Sequence, residues 1–497
     1  MGVLGGAELW EGPAHAGRPH RARRVAGAVP GRPGGGVGVS GSAVGLPTAA
    51  HLLEVGEAAL HLVPRGWEAL VRVDAASHAL TRFANSRIHQ NVADERVSVS
   101  VLVADGARNA GASTNRTDGE ALADVVRRAC EAAAVVPPDP AWAGVAPTGA
   151  TSAAGHWDEA TAVAEPAERA QRVAAFVASG AAGQEAAGYC DTEAVVTAVA
   201  TSAGQRASDR CTRATLDGIF LAAPEGGYTP AGYGHATSVH LADLDGAVVG
   251  GQAARGCASA VGAGEVEPGE YEVVLLPECV AEVVTFLASY GFNAKAVEEG
   301  QSFVEVGASP FDTAFSLVDD VYDTRSVGIG VDTEGTARTR AHLVEAGRCV
   351  GLVHDRRSAA RLGAVSTGHA MPASAVWGPD AADLVVAGGG AAMEDLVGSA
   401  GRGLLVTCFN YCRVLDPKTV GVTGLTRNGT FVIEDGRVVR PVTNLRFTQS
   451  FVEALAPGRV LGVAAEARLA DCEYGPGRVV APAVRLAGWR FTGGAGG

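Results

Sequence analysis

The chain contains almost no lysine, few aromatic residues and no long apolar run. Lys295 and Lys418 are the only lysines among its 497 residues, and aromatic residues make up 5%. A helix that spans a membrane needs about 20 mostly apolar residues, and no such stretch occurs, so no membrane span is predicted. The formal net charge is −14. This charge argues against non-specific nucleic-acid binding, which needs a basic face to neutralise phosphates.

Cysteine is present, but not in a pattern that indicates a disulfide framework. The nine cysteines are scattered and odd in number. With 47% hydrophobic and 19% charged residues, the chain can build a packed core without covalent cross-links. No apolar segment follows the N-terminal arginines, so no signal peptide is recognised. These features together predict a protein of the reducing cytoplasm.

The motifs of several common enzyme classes are also missing. No histidine is followed by glutamate, so neither the HExxH nor the HExxxH helix of zinc peptidases occurs. There is no GxSxG nucleophile elbow and no GxxxxGK[ST] phosphate loop, and no GxGxxG follows a predicted strand. Recognised metal, acyl-enzyme and nucleotide sites are therefore not predicted.

Local patterns predict a mixed protein whose later part is rich in strands. Residues 1–50 are rich in Gly, Ala, Pro and Arg without periodicity, and we interpret them as a disordered or mis-called N-terminal extension. Valines alternate over 97–103 as in a strand, with a turn at Asp105-Gly106. A helix is predicted from Thr117, with a capping box to Glu120. Short strands broken by glycine are expected over 190–275.

Two further signals lie in the second half of the chain. Pro277 is placed as the first residue of a helix, with Glu278 in its first turn. Asp435-Gly436 lies between two strand-like runs and predicts a two-residue hairpin. From about residue 310 onwards the pattern is mostly that of strands. The fold class predicted is therefore α+β.

One polar row suggests a binding surface. Asn85, Arg87, His89 and Asn91 would share one face of an extended strand. They could form a polar wall of a peptide groove that pairs with substrate backbone. The alternative is a solvated strand face or a dimer contact.

Two pairs of closely spaced residues, one of cysteines and one of histidines, could suggest a metal or redox site, but each has a simpler structural interpretation. Cys408 and Cys412 are four residues apart in strand-like sequence, and we interpret them as packed or partly exposed thiols. His235 and His240 are five apart, so in a strand they would point to opposite faces and would not chelate one ion.

Three regions resemble the TldD/PmbA family, also known as modulators of DNA gyrase. They are residues 82–93 (RFANSRIHQNVA), residues 292–304 (FNAKAVEEGQSFV) with 351–371 downstream, and residues 405–448. The resemblance implies an N-terminal and central α/β region over 51–265. It also implies a C-terminal domain over 266–497 dominated by an antiparallel β-sheet or barrel.

The family resemblance also gives an expectation about metal. TldD-type members are zinc peptidases with an HExxxH helix and a cysteine near the C-terminus as a further ligand. In this chain the helix after Pro277 resembles that helix, with Thr285, Phe286 and Tyr290 at the degenerate zinc-helix positions. Hydroxyl, benzyl and phenol groups are poor zinc donors or none. Cys472 lies near the position of the third ligand, but one thiol alone does not hold catalytic zinc.

The resemblance is therefore to the zinc-less PmbA/TldE branch. It implies no catalytic residue, metal or cofactor in this chain, with zinc expected in a TldD-type partner subunit. The implied partners are that subunit and an unfolded peptide or leader-peptide substrate, and neither nucleic acid nor a membrane. One alternative is a stand-alone peptide-binding or scaffold protein. Another is an enzyme with a cysteine nucleophile beside His354 or His369.

Overall fold

The computed structural model describes residues 45–372, 374–473 and 478–494. The first 44 residues of the predicted N-terminal extension lie outside the described residues. Helix α1 already begins at Ala49, with Thr48 as its N-cap. The first half of the described chain contains these elements in order: α1 Ala49–His61, β1 Glu68–Ala84, β2 Arg87–Asp105, β3 Arg108–Thr114, α2 Gly119–Val135, α3 Glu159–Ala162, α4 Pro166–Ala178, β4 Glu185–Thr201, β5 Arg206–Leu221, β6 Ala231–Ser238, a short 3-10 turn Leu241–Asp243 and α5 Gly246–Ser259.

The first sheet is a single antiparallel layer. Its six strands lie in the order β3-β2-β1-β4-β5-β6. The expectation of short, broken strands over 190–275 is wrong for its first part, since β4 has 17 residues and β5 has 16. These two strands pair without a register break from Glu185 to Ala200. Long paired strands tolerate interior glycine where a neighbour packs closely, as the ring of Phe83 does against Gly188.

Helices cover one face of this sheet. The stripe Leu122, Val125, Val126 and Ala129 of α2 is buried, as its periodicity predicts. The helix begins slightly later than predicted, because Asp118 rather than Thr117 is the N-cap. The Asp118 side chain accepts a hydrogen bond from the amide of Ala121.

The C-terminal half contains the remaining elements. They are β7 Gly269–Leu275, α6 Pro277–Gly291, α7 Ala294–Glu298, β8 Leu317–Asp319, β9 Ala341–Glu345, β10 Arg348–Cys349, α8 Arg356–Leu362, α9 Ser374–Trp377, β11 Leu384–Val386, α10 Met393–Gly398, β12 Arg402–Asp416, β13 Gly421–Glu434, β14 Arg437–Val442, β15 Leu445–Ser450, α11 Phe451–Ala454, β16 Val460–Ala470 and β17 Val479–Gly494. The predicted α+β class is confirmed.

The second sheet closes on itself. Its longest path runs β10-β9-β8-β11-β17-β15-β13-β12-β7, and β7 also pairs with β17. The pairings β17-β15-β13-β12-β7-β17 therefore form a ring. Most pairs are antiparallel, whereas β7 runs parallel to β12 and β11 parallel to β17. The result is a mixed sheet with a small barrel at its centre.

Aromatic packing fills this ring. Trp489 is fully buried, with its ring 5.0 Å from that of Phe409 and 5.3 Å from that of Phe447. The predicted hairpin at Asp435-Gly436 is confirmed, because both residues have positive φ (46° and 73°), as a type I′ turn requires. No helix in the described part of the chain is long and apolar enough to cross a bilayer.

Candidate functional site

Helix α6 is the element that the resemblance singled out, and it lies in the largest core of the protein. It follows β7 directly, and Pro277 occupies its first turn as predicted. Its buried positions extend around most of its circumference, because the barrel strands and α11 pack against it. A helix held so firmly can position side chains at its surface with little freedom.

The three degenerate zinc-helix positions have different surroundings. Phe286 is buried, and its ring makes an edge contact with Phe451 at 5.9 Å. Tyr290 is 37% exposed, and its ring stacks on Phe286. The Thr285 hydroxyl oxygen lies 3.5 Å from the Sγ atom of Cys472. The structure therefore brings Cys472 to the first of the three positions.

This arrangement does not fit the zinc site of an HExxxH peptidase. Such a site needs two imidazoles, a third protein ligand and a carboxylate base for the bound water. Phe286 occupies the position of the base and is packed into the core. Among Thr285, Phe286, Tyr290 and Cys472, only the cysteine is an established zinc ligand type. No hydrolytic step can be assigned to these residues.

A buried carboxyl lies one helical turn before Thr285, at a glutamate that the sequence assigns only a favourable interaction with the helix dipole. Glu282 is 1% exposed, and its Oε2 accepts a hydrogen bond of 2.8 Å from the amide of Glu473. Burial, with a smaller contribution from the Glu473 carboxylate, raises the pKa of Glu282 to about 7, although hydrogen bonds from the Glu473 amide and from the Cys412 and Cys472 thiols lower it. In the sequence, the feature that could indicate this buried carboxyl is a glutamate placed within the apolar stripe of helix α6.

Cys412 joins Glu282 through a break in strand β12. The pairing of β12 with β13 shifts register between Asn410 and Arg413, and Tyr411 has a φ of 55°. Such bulges redirect side chains. Here the Cys412 side chain is buried, while its amide donates to Glu473 Oε2 at 3.0 Å. Burial and the charges of Glu282 and Glu473 raise the pKa of Cys412.

Glu282, Cys412 and Glu473 thus form what we call the thiol–carboxylate cluster. One potential ligand atom from each residue lies within 4.8 Å of the others. Glu473 is the solvent-exposed member, and its Oε1 lies 3.2 Å from a guanidinium nitrogen of Arg413. The cluster connects α6, the β12 bulge and the segment after β16.

A second group, the tyrosine–histidine cluster, includes Asp471, the residue that precedes Cys472 in the chain. It consists of Asp217, Tyr233, His235 and Asp471. The Tyr233 hydroxyl donates to Asp217 at 2.5 Å and approaches Asp471 at 3.2 Å. The His235 Nδ1 atom lies 3.2 Å from Asp217, and Nε2 lies 3.0 Å from the Thr237 hydroxyl.

The electrostatics of this second cluster favour a charged imidazole. Burial lowers the pKa of His235, but the hydrogen bond to Asp217 and the charges of Asp471 and Asp217 outweigh it, so the pKa is raised. His240 takes no part, because it follows the end of β6 and lies 3.4 Å from Asp158. The expectation that the two histidines do not share an ion agrees with this geometry. The sequence analysis missed the role of His235 in the cluster.

A cleft of about 400 Å³ separates the first sheet from C-terminal loops nearby. Charged side chains line it from both sides: Arg72, Glu193 and Arg213 from the sheet, and His369, Asp380 and Arg478 opposite. The arginines pair with acidic groups, as Arg478 does with Asp383 at 2.7 Å. The cleft therefore presents charges of both signs beside apolar lining residues such as Ile329 and Met371.

The residues predicted to form a peptide groove lie elsewhere. Asn85 has a φ of 49° and lies in the turn between β1 and β2, so the expectation that it shares a strand face is wrong. Arg87, His89 and Asn91 are exposed on β2, and the pairing with β1 shifts register at His89. Strand β2 is four positions from β6 in the sheet, about 19 Å at ordinary strand spacing. The structure does not bring these residues to either cluster.

This part of β2 has an open edge. Strand β3 pairs with β2 only from Val99 onwards. Residues 87–96 are exposed, and the side of them away from β1 has no paired strand in the described chain. Open strand edges bind extended peptides through backbone hydrogen bonds.

Comparison with known proteins gives a consistent result. Residues 268–493 match the profile of the PmbA/TldA metallopeptidase C-terminal domain. No curated protein sequence matches the chain. Among solved structures, TldE from Thermococcus kodakarensis superposes with a TM-score of 0.80 at 16% identity, over 90% of this chain and 100% of that one.

Two further structures share the fold. A proposed modulator of DNA gyrase from Thermotoga maritima has a TM-score of 0.79 at 15% identity, covering 88% of this chain and 100% of its own. A similar protein from Bacteroides thetaiotaomicron has a TM-score of 0.76 at 18% identity, covering 89% and 98%. At these identities the superpositions establish the fold alone.

Proposed function

We propose that the chain is a non-catalytic, TldE/PmbA-like subunit of the PmbA/TldD family, whose metallopeptidase C-terminal domain profile matches residues 268–493. Its role would be to bind unfolded or flexible peptide for a TldD-type subunit that holds the hydrolytic zinc. The proposal places both subunits in the cytoplasm, which agrees with nine cysteines that are scattered and odd in number.

The observation that carries the proposal is the composition of the zinc-helix positions. Thr285 and Cys472 are in contact, yet Phe286 and Tyr290 supply neither a base nor an imidazole. The family's hydrolytic chemistry needs both. Catalysis would therefore depend on a second polypeptide.

Peptide binding is supported by two surfaces. The open edge of β2 at residues 87–96 offers backbone groups to an extended chain. The cleft between the first sheet and the C-terminal loops offers paired charges around a volume of about 400 Å³. Both surfaces suit a substrate that is recognised in an extended conformation.

A thiol-based enzyme is the weaker alternative. A nucleophilic cysteine needs a lowered pKa. Burial instead raises the pKa of Cys211, Cys279, Cys408 and Cys412, and of Cys349 to about 11. His369 bonds to Asp319 and Thr367, and no cysteine is among the partners found for its ring nitrogens.

The test is co-expression with a TldD-type protein that contains HExxxH, followed by affinity capture and cleavage assays on casein and unstructured peptides. We expect the two chains to co-purify and cleave together, and this chain alone to cleave nothing. A partner with both motif histidines replaced by alanine serves as the control and should co-purify without activity. Peptide capture without any co-purifying partner would favour the stand-alone scaffold, and hydrolysis by this chain alone would contradict both.

A further inference from the structure

We infer that the thiol–carboxylate cluster binds one divalent cation of the zinc type. This goes beyond the proposed function, which needs no ion in this chain. It also departs from the sequence-based expectation that the chain holds no metal. The site shares a helix with the HExxxH positions but uses different residues, on three separate elements.

The spacing of the donors is close to what a cation requires. Potential ligand atoms of Glu282, Cys412 and Glu473 all lie within 4.8 Å of one another. Zinc bonds of about 2.0–2.3 Å place tetrahedral ligands about 3.5 Å apart.

One donor atom is already buried without a partner. Glu282 Oε1 is inaccessible and has no hydrogen-bond partner among the described residues. An unsatisfied buried polar atom costs about 1–3 kcal/mol, so its presence calls for an explanation such as an unseen ion or water. The same carboxyl accepts the Glu473 amide on Oε2, and the thiols of Cys412 and Cys472 lie within hydrogen-bonding range of the carboxyl group.

The charges also favour a cation. Two carboxylates and a thiolate would carry three negative charges, against the single Arg413 beside Glu473. A bound cation deprotonates a coordinating thiol. Thiolate sulfur selects zinc-like ions over magnesium and calcium, which prefer oxygen alone. Glu473 is exposed, so an ion can reach the cluster from solvent.

The tyrosine–histidine cluster does not support a similar inference. Tyr233 already donates to Asp217, and His235 lies within hydrogen-bond distance of it. An ion there would have to displace these bonds. In the thiol–carboxylate cluster, by contrast, Glu282 Oε1 has no hydrogen-bond partner among the described residues that an ion would have to displace.

The test uses the full-length chain, stripped of metal and titrated with Cd²⁺ and Co²⁺. Thiolate–Cd²⁺ charge transfer in the ultraviolet and visible Co²⁺ bands report sulfur coordination. We expect one ion per chain. Cys412→Ser should remove the sulfur signal, and Glu282→Gln should weaken binding by more than about 100-fold, since losing even an outer-shell partner costs about 10- to 100-fold. Cys349→Ser, which changes a buried cysteine of β10, is the matched control and should bind as the wild type.

Absence of a sulfur signal in the wild type overturns the inference, as does a signal that survives Cys412→Ser. Should Cys412→Ser fail to fold, Glu282→Gln decides the matter alone, since unchanged affinity there also overturns it. Peptide hydrolysis is measured on the same samples. Ion binding without hydrolysis leaves the proposed function intact, whereas metal-dependent hydrolysis would contradict the proposed function while supporting the site.

Discussion

The segment at residues 471–473 contributes one residue to each of two polar clusters, Asp471 to the first and Glu473 to the second. The two clusters differ in how their acidic groups are paired. In the tyrosine–histidine cluster, a phenol and an imidazole satisfy two carboxylates. In the thiol–carboxylate cluster, a buried carboxyl and a buried thiol both have raised pKa values. The first group pairs its acidic side chains with donors, whereas in the second Glu282 Oε1 has no hydrogen-bond partner among the described residues. Proximity of acidic residues alone is therefore a poor guide to a ligand site.

The largest change in the free energy of unfolding is expected in the tyrosine–histidine cluster. Asp217→Ala leaves Tyr233 and His235 without their shared acceptor, and breaking a buried pair of this kind costs about 3–5 kcal/mol when the imidazole is protonated. The free energy of unfolding, measured with urea, should fall by that amount. Asp94→Ala, at an exposed position of β2, should change it by less than about 0.5 kcal/mol. Equal effects at the two positions would show that the cluster is not a closed ionic network.

In the thiol–carboxylate cluster we expect a pH-dependent change in the free energy of unfolding, of similar or smaller size. The folded pKa of Glu282 is about 7, above the ordinary 4.5, so the folded state binds this proton more tightly than the unfolded state. The stabilisation is fully present below pH 4.5 and is lost as pH rises to about 7. At 1.36 kcal/mol per pKa unit the loss is about 3 kcal/mol.

Glu282→Gln should remove this contribution, because the amide does not titrate. We expect the difference in unfolding free energy between wild type and variant to change by about 3 kcal/mol between pH 4.5 and pH 8 in metal-free buffer. Other buried carboxyls affect both proteins equally and cancel. Glu466→Gln, at an exposed position of β16, is the control. A difference that does not vary with pH would mean that Glu282 is ionised in the fold.

The smallest effect is expected at the exposed side of the thiol–carboxylate cluster. The Arg413 side chain is 47% exposed, and its pair with Glu473 spans 3.2 Å. Exposed pairs contribute about 0–1 kcal/mol, so Arg413→Gln should change the unfolding free energy by less than about 1 kcal/mol. The same variant should bind Cd²⁺ at least as tightly as the wild type. Weaker binding would mean that the arginine organises the site rather than competing with the ion.

Several parts of the fold could be predicted from local sequence. The proline at the start of α6, the turn at Asp435-Gly436 and the buried stripe of α2 follow from backbone geometry and periodicity over a few residues. The cap of α2 was misplaced by one residue, because Thr117 and Asp118 are both good caps. The resemblance places Cys472 near the third ligand position, whereas its contact with Thr285 is known only from the structure.

By itself the sequence determined the helix starts, the hairpin turns, the acidic charge and the loss of the HExxxH residues, since these depend on neighbouring residues or on composition. Only the tertiary structure decided the two clusters. Glu282 and Glu473 are 191 residues apart, and Cys412 and Glu473 are 61 apart. Their meeting depends on how α6, the bulge of β12 and the end of β16 pack around the barrel. No local pattern encodes such a contact, because burial and partner identity are properties of the packed core.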